Sequence, residues 1–190
     1  MARPPRIQVA GGTYHLTARG NFGRTMFPRT DDRRSFSFAL QDVVNRHAWI
    51  CHGYCFMTTH YHLLVTTPEA DLAKGMQRLN TRYATYLNHT RGEQGHVLQG
   101  RYGSVLVEGE SHLLELVRYL ALNPVRAGMC DHPLDWPWSS YRALVYRAPR
   151  PDFLTTSLIH PLFASDPIRA AQAIREVVED GLSSLVMSRV

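Results

Sequence analysis

The sequence predicts an α+β fold: a ferredoxin-like sandwich on an antiparallel sheet, with one helix added beyond it and a C-terminal accessory helix. Three observations predict it. Residues 13–19 alternate Tyr14, Leu16 and Ala18 against His15, Thr17 and Arg19, the period-two pattern of a half-buried strand. The nearly unbroken apolar run from Trp49 to Met57 passes through Thr58-Thr59 into a second β-rich stretch, so the two read as a hairpin. Helical repeats follow the first and third strands, which gives the order β-α-β-β-α-β.

The elements follow in order. Gly20-Asn21-Phe22-Gly23-Arg24 has the residues of a turn and ends the first strand. Thr30 or Asp31 caps a helix that turns Phe36, Leu40, Val43, Val44 and His47 inward. The apolar run reads as a central strand, because a strand covered on both faces loses its alternation. Its partner contains His60-Tyr61-His62-Leu63-Leu64-Val65. Leu72, Met76, Leu79, Tyr83 and Tyr86 recur at helical intervals and read as a core stripe. Residues 92–96 form a polar turn, and a strand from about 97 to 107 follows, interrupted at Gly100 and Gly103. Ser111 caps the next helix, with Leu113, Leu116, Val117 and Leu120 on one stripe. Pro124 ends it, since the residue before proline is pushed out of the helical region. After Trp136-Pro137-Trp138, the prolines at 149, 151, 161 and 167 mark loops. A last helix from about 167 to 185 turns Ile168, Ala171, Ile174 and Val178 inward. The chain divides into a domain over residues 1–147 and an extension, 148–190, packed on it.

At 190 residues, 44% hydrophobic and 19% charged, the chain has the composition of one globular domain. No apolar run reaches the roughly 18 residues of a membrane span. The first residues lack the apolar core of a signal peptide. Cys51, Cys55 and Cys130 make no disulfide framework, and Cys51-His52 with Cys55 lacks zinc-site spacing. They read as packing thiols in a reducing cytoplasm. Net charge is +5, and Lys74 is the only lysine. Residues 1–150 carry 18 basic and 11 acidic residues, a balance of +7, whereas 151–190 carry 3 and 5, a balance of −2. The excess lies on the chemistry-bearing part, as a nucleic-acid footprint does. Arginine suits bidentate phosphate contact and base stacking, although a GC-rich genome produces the same bias.

That chemistry rests on two stretches. A strand sends residues i and i+2 to one face, so His60 and His62 point the same way. Paired imidazoles are half a site for a divalent metal; taken alone, an H-x-H is more often two ordinary half-buried histidines. Tyr119 and Asn123 are four apart on one side of a helix. Alone, they are a core-edge tyrosine and an Asn-Pro helix stop. Beside the histidines, they supply a phenolic nucleophile and a third, oxygen ligand for phosphoryl transfer.

Five segments then occur in order: Gly12-Thr13-Tyr14-His15-Leu16-Thr17-Ala18-Arg19-Gly20-Asn21, His60-Tyr61-His62-Leu63-Leu64, Gly95-His96-Val97-Leu98-Gln99-Gly100-Arg101-Tyr102, Arg118-Tyr119-Leu120-Ala121-Leu122-Asn123-Pro124-Val125-Arg126-Ala127-Gly128 and Trp138-Ser139-Ser140-Tyr141. In them the chain resembles the HUH-type tyrosine transposases, and among these the REP-associated tyrosine transposases, relatives of the smallest insertion-sequence transposases. The segments cover most of residues 11–145. The chain departs from the family at Thr58-Thr59, where Pro-Asn is commoner. The departure is expected to alter the strand's entry and to touch no inferred ligand.

The resemblance implies the same ferredoxin-like fold, with the Tyr119 helix as a catalytic helix. It implies Mg²⁺ or Mn²⁺ on His60, His62 and Asn123, offsetting phosphodiester charge. Attack by Tyr119 forms a covalent 5′-phosphotyrosine and releases a 3′-OH; the retained phosphodiester allows strand joining without ATP. The implied substrate is single-stranded DNA folded into hairpins of the repetitive extragenic palindrome type, bound by a monomer or homodimer with no membrane involved. Arg19, Arg24, Arg101 and Arg126 are the expected DNA contacts. Arg101 and Arg126 serve equally well as structural partners of Glu108 or Glu115. Two other functions stay open: a hydrolytic metal phosphodiesterase that forms no adduct, and a repetitive-element DNA-binding protein without catalysis.

Overall fold

Alternation along two strands decides which side of the sheet holds the core and which holds the chemistry. The computed structural model describes residues 8–187. Its strands are β1 (Gly12–Arg19), β2 (Ile50–Phe56), β3 (His60–Thr67) and β4 (Gly103–Leu106). They form one antiparallel sheet in the order β2-β3-β1-β4. The helices are α1 (Thr30–His47), α2 (Leu72–Arg91), α3 (Gly109–Arg126), α4 (Tyr141–Leu144), α5 (His160–Phe163) and α6 (Pro167–Met187).

Tyr14, Leu16 and Ala18 of β1 and Tyr61, Leu63 and Val65 of β3 share one core with Phe36, Leu40 and Val43 of α1 and Leu72, Met76, Leu79 and Tyr83 of α2. The aromatic rings interlock there; those of Phe36 and Tyr61 have centroids 4.6 Å apart. The alternate residues, His15, Thr17 and Arg19 with His60, His62 and Leu64, face the other way. Over that face lies α3. Leu64, Cys55 and Met57 form a second core with Leu113, Leu116, Val117 and Leu120 of α3, Tyr141 and Leu144 of α4, and Ile174 and Val178 of α6. Each such leucine contributes roughly 1.5–3 kcal/mol by leaving water, enough to hold a helix against a half-polar face. Gly181 of α6 permits a close approach: a Cβ there would stand 2.7 Å from Leu122 Cδ1.

Several expectations are corrected. The apolar strand β2 is at the sheet's edge, not its centre. Its unbroken run is explained by cover on both faces and along the edge. Phe56 N–H donates to Trp138 O at 2.8 Å, Ser140 N–H to Tyr54 O at 2.9 Å, and Thr155 N–H to Cys51 O at 2.8 Å. Cysteines 51 and 55 are, as expected, buried free thiols, and they join opposite cores. At the start of α1 neither Thr30 nor Asp31 caps; Asp32 Oδ2 accepts the Arg29 N–H at 2.8 Å. The strand expected over 97–107 is paired only at 103–106, with a lone bridge from Leu98 to Gly20; Gly100, at φ 62, breaks the run. Helix α3 starts before Ser111 and continues through Pro124 to Arg126. Proline forfeits one helical hydrogen bond, but Pro124 and Val125 are buried, and that packing outweighs the loss. Ile168 is 74% exposed, whereas Ala170, Ala171, Ile174, Val178 and Gly181 are buried. Ile168 sits roughly 100° round the helix from the centre of that stripe. Among the described residues no helix is long and apolar enough to cross a membrane.

Candidate active site

Pairing between β1 and β3 sets Arg19 opposite His60 and Thr17 opposite His62. Helix α3 lies across this corner. Asn123 Nδ2 is 3.0 Å from His62 Nε2, and Tyr119, one turn back, puts its ring edge-to-face with His62 at 5.4 Å. The His60 and His62 rings are 5.0 Å apart and nearly perpendicular. Arg126 places its guanidinium 5.5 Å from the centre of the Tyr119 ring, within cation–π range. The strand period pairs the histidines, helical spacing pairs Tyr119 with Asn123, and the packing of α3 on the sheet brings the two pairs together.

The structure adds a fifth member. His15 Nε2 is 2.9 Å from His62 Nδ1, and the two rings stack at 5.2 Å. The Tyr119 ring meets His15 edge-on at 5.9 Å. His15 is not among the residues that the sequence patterns single out. The available signal was its place on the Thr17–Arg19 side of β1, the same face as the paired histidines.

Burial keeps these imidazoles neutral. His62, only 5% exposed, is pushed down to about 3 by loss of solvent, then by His15, His60 and Arg19. His15 is pushed down to about 4, by burial first and His112 second. His60 is lowered by burial and then by Arg19. Neutral imidazole is the metal-binding form. His62 aims Nε2 at Asn123, whose amide presents oxygen in place of nitrogen after a half-turn about its last bond. Two imidazoles and one amide oxygen thus fit a divalent ion. The set carries no charge, and no group of three His, Cys, Asp or Glu suited to a metal occurs among the described residues.

Thr59 Oγ1 lies 3.1 Å from His60 Nδ1. The Thr58-Thr59 departure therefore does touch an inferred ligand, because the tight entry to β3 folds the hydroxyl back on the next ring.

A cleft of about 320 Å³ opens beside the pair, lined by Thr17, Arg19, His60, His62, Gln99, Arg101 and Tyr119, among others. A second, of about 270 Å³, lies on the other side of Tyr119 against His15, His112, Glu115 and Leu116. A wider groove of about 560 Å³ runs along α2 past Lys74, Arg78 and Arg82, but it holds none of the chemistry-bearing residues. Of the four expected arginines, Arg19 and Arg101 line the first cleft and Arg126 covers Tyr119. Arg101 makes no ion pair with Glu108 or Glu115 among the described residues. Arg24 lies outside the cleft and pairs with Glu93 at 3.3 Å. On the same loop Phe22 is 89% exposed at φ 52, a left-handed conformation that costs a non-glycine residue roughly 1–2 kcal/mol. That loop is tied to the cleft wall: Asn21 N–H donates to Val97 O, and Gln99 N–H to Arg19 O, each at 2.8 Å.

Comparison with known proteins gives three likenesses. The family described as "Transposase IS200 like" matches residues 8–123. A curated protein of Haemophilus influenzae named as a REP-associated tyrosine transposase is 26% identical over 152 residues, covering 74% of this chain and 86% of the relative. A solved REP-associated tyrosine transposase bound to a REP hairpin superimposes with a TM-score of 0.68 at 21% identity, over 82% of this chain and 92% of its own. That superposition supports the fold: α+β, with a four-stranded antiparallel sheet.

Proposed function

This chain belongs to the IS200-like transposase family, and we propose that it is a REP-associated member, a single-strand DNA endonuclease and strand transferase acting on hairpin-forming repetitive elements. The observation that carries the reading is the convergence of Tyr119 and Asn123 on His62, at a cleft walled by Arg19 and Arg101. We assign catalysis to residues 1–147, with 148–190 as an extension whose α6 shares the core of α3.

In this reading Arg19 and Arg101 hold the DNA backbone in the cleft, with the scissile phosphate between the histidines and Tyr119. His60, His62 and Asn123 would hold a divalent Mg²⁺ or Mn²⁺ ion, which would supply positive charge to offset that of the phosphodiester. Tyr119 Oη attacks phosphorus and gives up its proton to solvent. The bond from phosphorus to the 3′ oxygen breaks, and that oxygen takes a proton to become a 3′-OH. The phosphate stays on Tyr119 through its 5′ side, so the free energy of the diester is retained for a later 3′-OH. Arg126 keeps positive charge against the phenol ring as the oxygen becomes more negative. Phe22, three residues beyond Arg19 and held out in solvent, offers a ring face to an unpaired base. The hairpin of the solved relative is the substrate class we carry across.

The test uses end-labelled single-stranded oligonucleotides that fold as hairpins, incubated with Mn²⁺ and resolved on a denaturing gel. The wild type should give a protein–DNA adduct. Tyr119→Phe should give neither adduct nor cleavage while still binding the hairpin. Cleavage that survives the substitution points to water as nucleophile, and an inactive wild type that still binds points to the non-catalytic reading.

A further inference from the structure

His62 is bonded through both ring nitrogens. Asn123 Nδ2 approaches Nε2 at 3.0 Å, and His15 Nε2 approaches Nδ1 at 2.9 Å. With the Asn123 amide nitrogen turned towards it, Nε2 of neutral His62 is the acceptor, which puts its single proton on Nδ1. Nδ1–H then donates to His15 Nε2, which accepts. The geometry points to His15 as a positioning residue that fixes the tautomer and plane of His62, so that the Nε2 lone pair is aimed at the ion.

This inference rests on the metal reading above and deepens it. A metal-binding histidine works only if its other nitrogen carries the proton, and the partner on that nitrogen sets both tautomer and orientation. Here the partner is an imidazole, where a carboxylate or carbonyl is more usual. The two residues sit diagonally across the β1–β3 ladder: His15 is opposite Leu64, and His62 is opposite Thr17. Diagonal neighbours are just within reach of long side chains. The stacked rings, 16° from parallel, restrain rotation as well as position. Thr59 Oγ1, 3.1 Å from His60 Nδ1, stands in the same relation to the other imidazole. Both Nδ1 atoms are thereby engaged, and His62 Nε2 is left to the Asn123 amide, whose half-turn from nitrogen to oxygen would free it for an ion.

His15→Phe keeps a ring against Tyr119 and removes the acceptor. His15→Gln restores an acceptor at similar reach. Long-range ¹H–¹⁵N spectra of the metal-free protein report which His62 nitrogen is protonated. Wild type and His15→Gln should show Nδ1–H, and His15→Phe should shift the proton towards Nε2. Mn²⁺ affinity, read by electron paramagnetic resonance, should fall roughly 10–100-fold in His15→Phe and largely recover in His15→Gln. Hairpin affinity in EDTA should not change. If His15→Phe does not fold, His15→Asn, whose amide is too short to reach, takes its place. Unchanged tautomer and Mn²⁺ affinity in the variant that lacks the acceptor overturn the inference. If His62→Ala binds Mn²⁺ as tightly as wild type, the metal reading itself fails, and the tautomer spectra, which need no metal, still decide whether His15 holds His62.

Discussion

Asn123 and His62 stand 61 residues apart in the chain and 3.0 Å apart in the fold, amide nitrogen to Nε2. The contact depends on α3 staying helical through Pro124, which keeps Asn123 one turn beyond Tyr119. Asn123→Ala should therefore cost about 1–2 kcal/mol in stability, as expected for one lost buried hydrogen bond. Adduct yield should fall less than in His62→Ala, because water can replace an amide ligand more readily than an imidazole. Urea melts and gel yields of the two variants check both points. Equal loss of adduct in the two would remove the distinction between them.

A second prediction concerns Phe22, where stability and binding should move differently. Glycine adopts φ 52 without the steric cost that phenylalanine bears there. The ring is 89% exposed, so removing it forfeits little packing. Phe22→Gly should leave the melting temperature unchanged or slightly raised. If the ring stacks on an unpaired base, affinity for a hairpin with a single-stranded flank should drop by about 1–3 kcal/mol. A blunt hairpin without the flank should bind both proteins alike. Equal flank affinity for wild type and variant removes Phe22 from the DNA surface.

The site's skeleton was legible because it depends on two local periods. The i, i+2 rule put His60 and His62 on one face, and the i, i+4 rule put Tyr119 beside Asn123. What the sequence could not reveal depends on which strands are neighbours. His15 reaches His62 only because β1 lies beside β3, a pairing between residues 47 apart. The same limit explains the misplaced β2. An unbroken apolar run reports burial on both faces, and residues 138–140 and 154–155 provide cover along an edge as well. Pro124 carries a local bias against helix, and the burial that overrides it is supplied only by the tertiary fold.

Buried histidines give the third prediction its sign. His15 and His52 are lowered to about 4 and His62 to about 3, each chiefly by burial, against an ordinary value of 6.5. With the folded value below the unfolded one, the unfolded chain takes up the protons first. Stability should be full above about pH 6.5 and fall as the pH drops towards 4. Asp42 does not contribute in that window; its hydrogen bond with Arg78 holds its carboxyl at about 2, so its share is lost only at lower pH. His52 lies away from the cleft, with Nε2 2.8 Å from Thr66 Oγ1. His52→Gln should flatten the urea-midpoint profile between pH 6.5 and 4.5. A flat wild-type profile over that range would show that these rings are not buried as neutral groups.

The last prediction ranks the arginines. Arg19 and Arg101 line the cleft, whereas Arg24 is 67% exposed and already paired with Glu93 at 3.3 Å. Each arginine held by a single-strand phosphate releases counterions on binding, and its loss should lower the log–log salt slope by about 0.7. Arg19→Ala and Arg101→Ala should each show that drop with the flanked hairpin. Arg24→Ala should change the slope little, because its charge is partly answered by Glu93 and it stands outside the cleft. The fully duplexed form of the same sequence should bind more weakly than the hairpin at one fixed salt concentration, since the substrate proposed above is a hairpin with single-stranded DNA beside it. Affinity titrations at four salt concentrations separate these cases. If Arg24→Ala lowers the slope as much as Arg19→Ala, phosphate contacts extend beyond the cleft to Arg24 and the ranking fails. Equal affinity for duplex and hairpin would instead count against a single-stranded substrate.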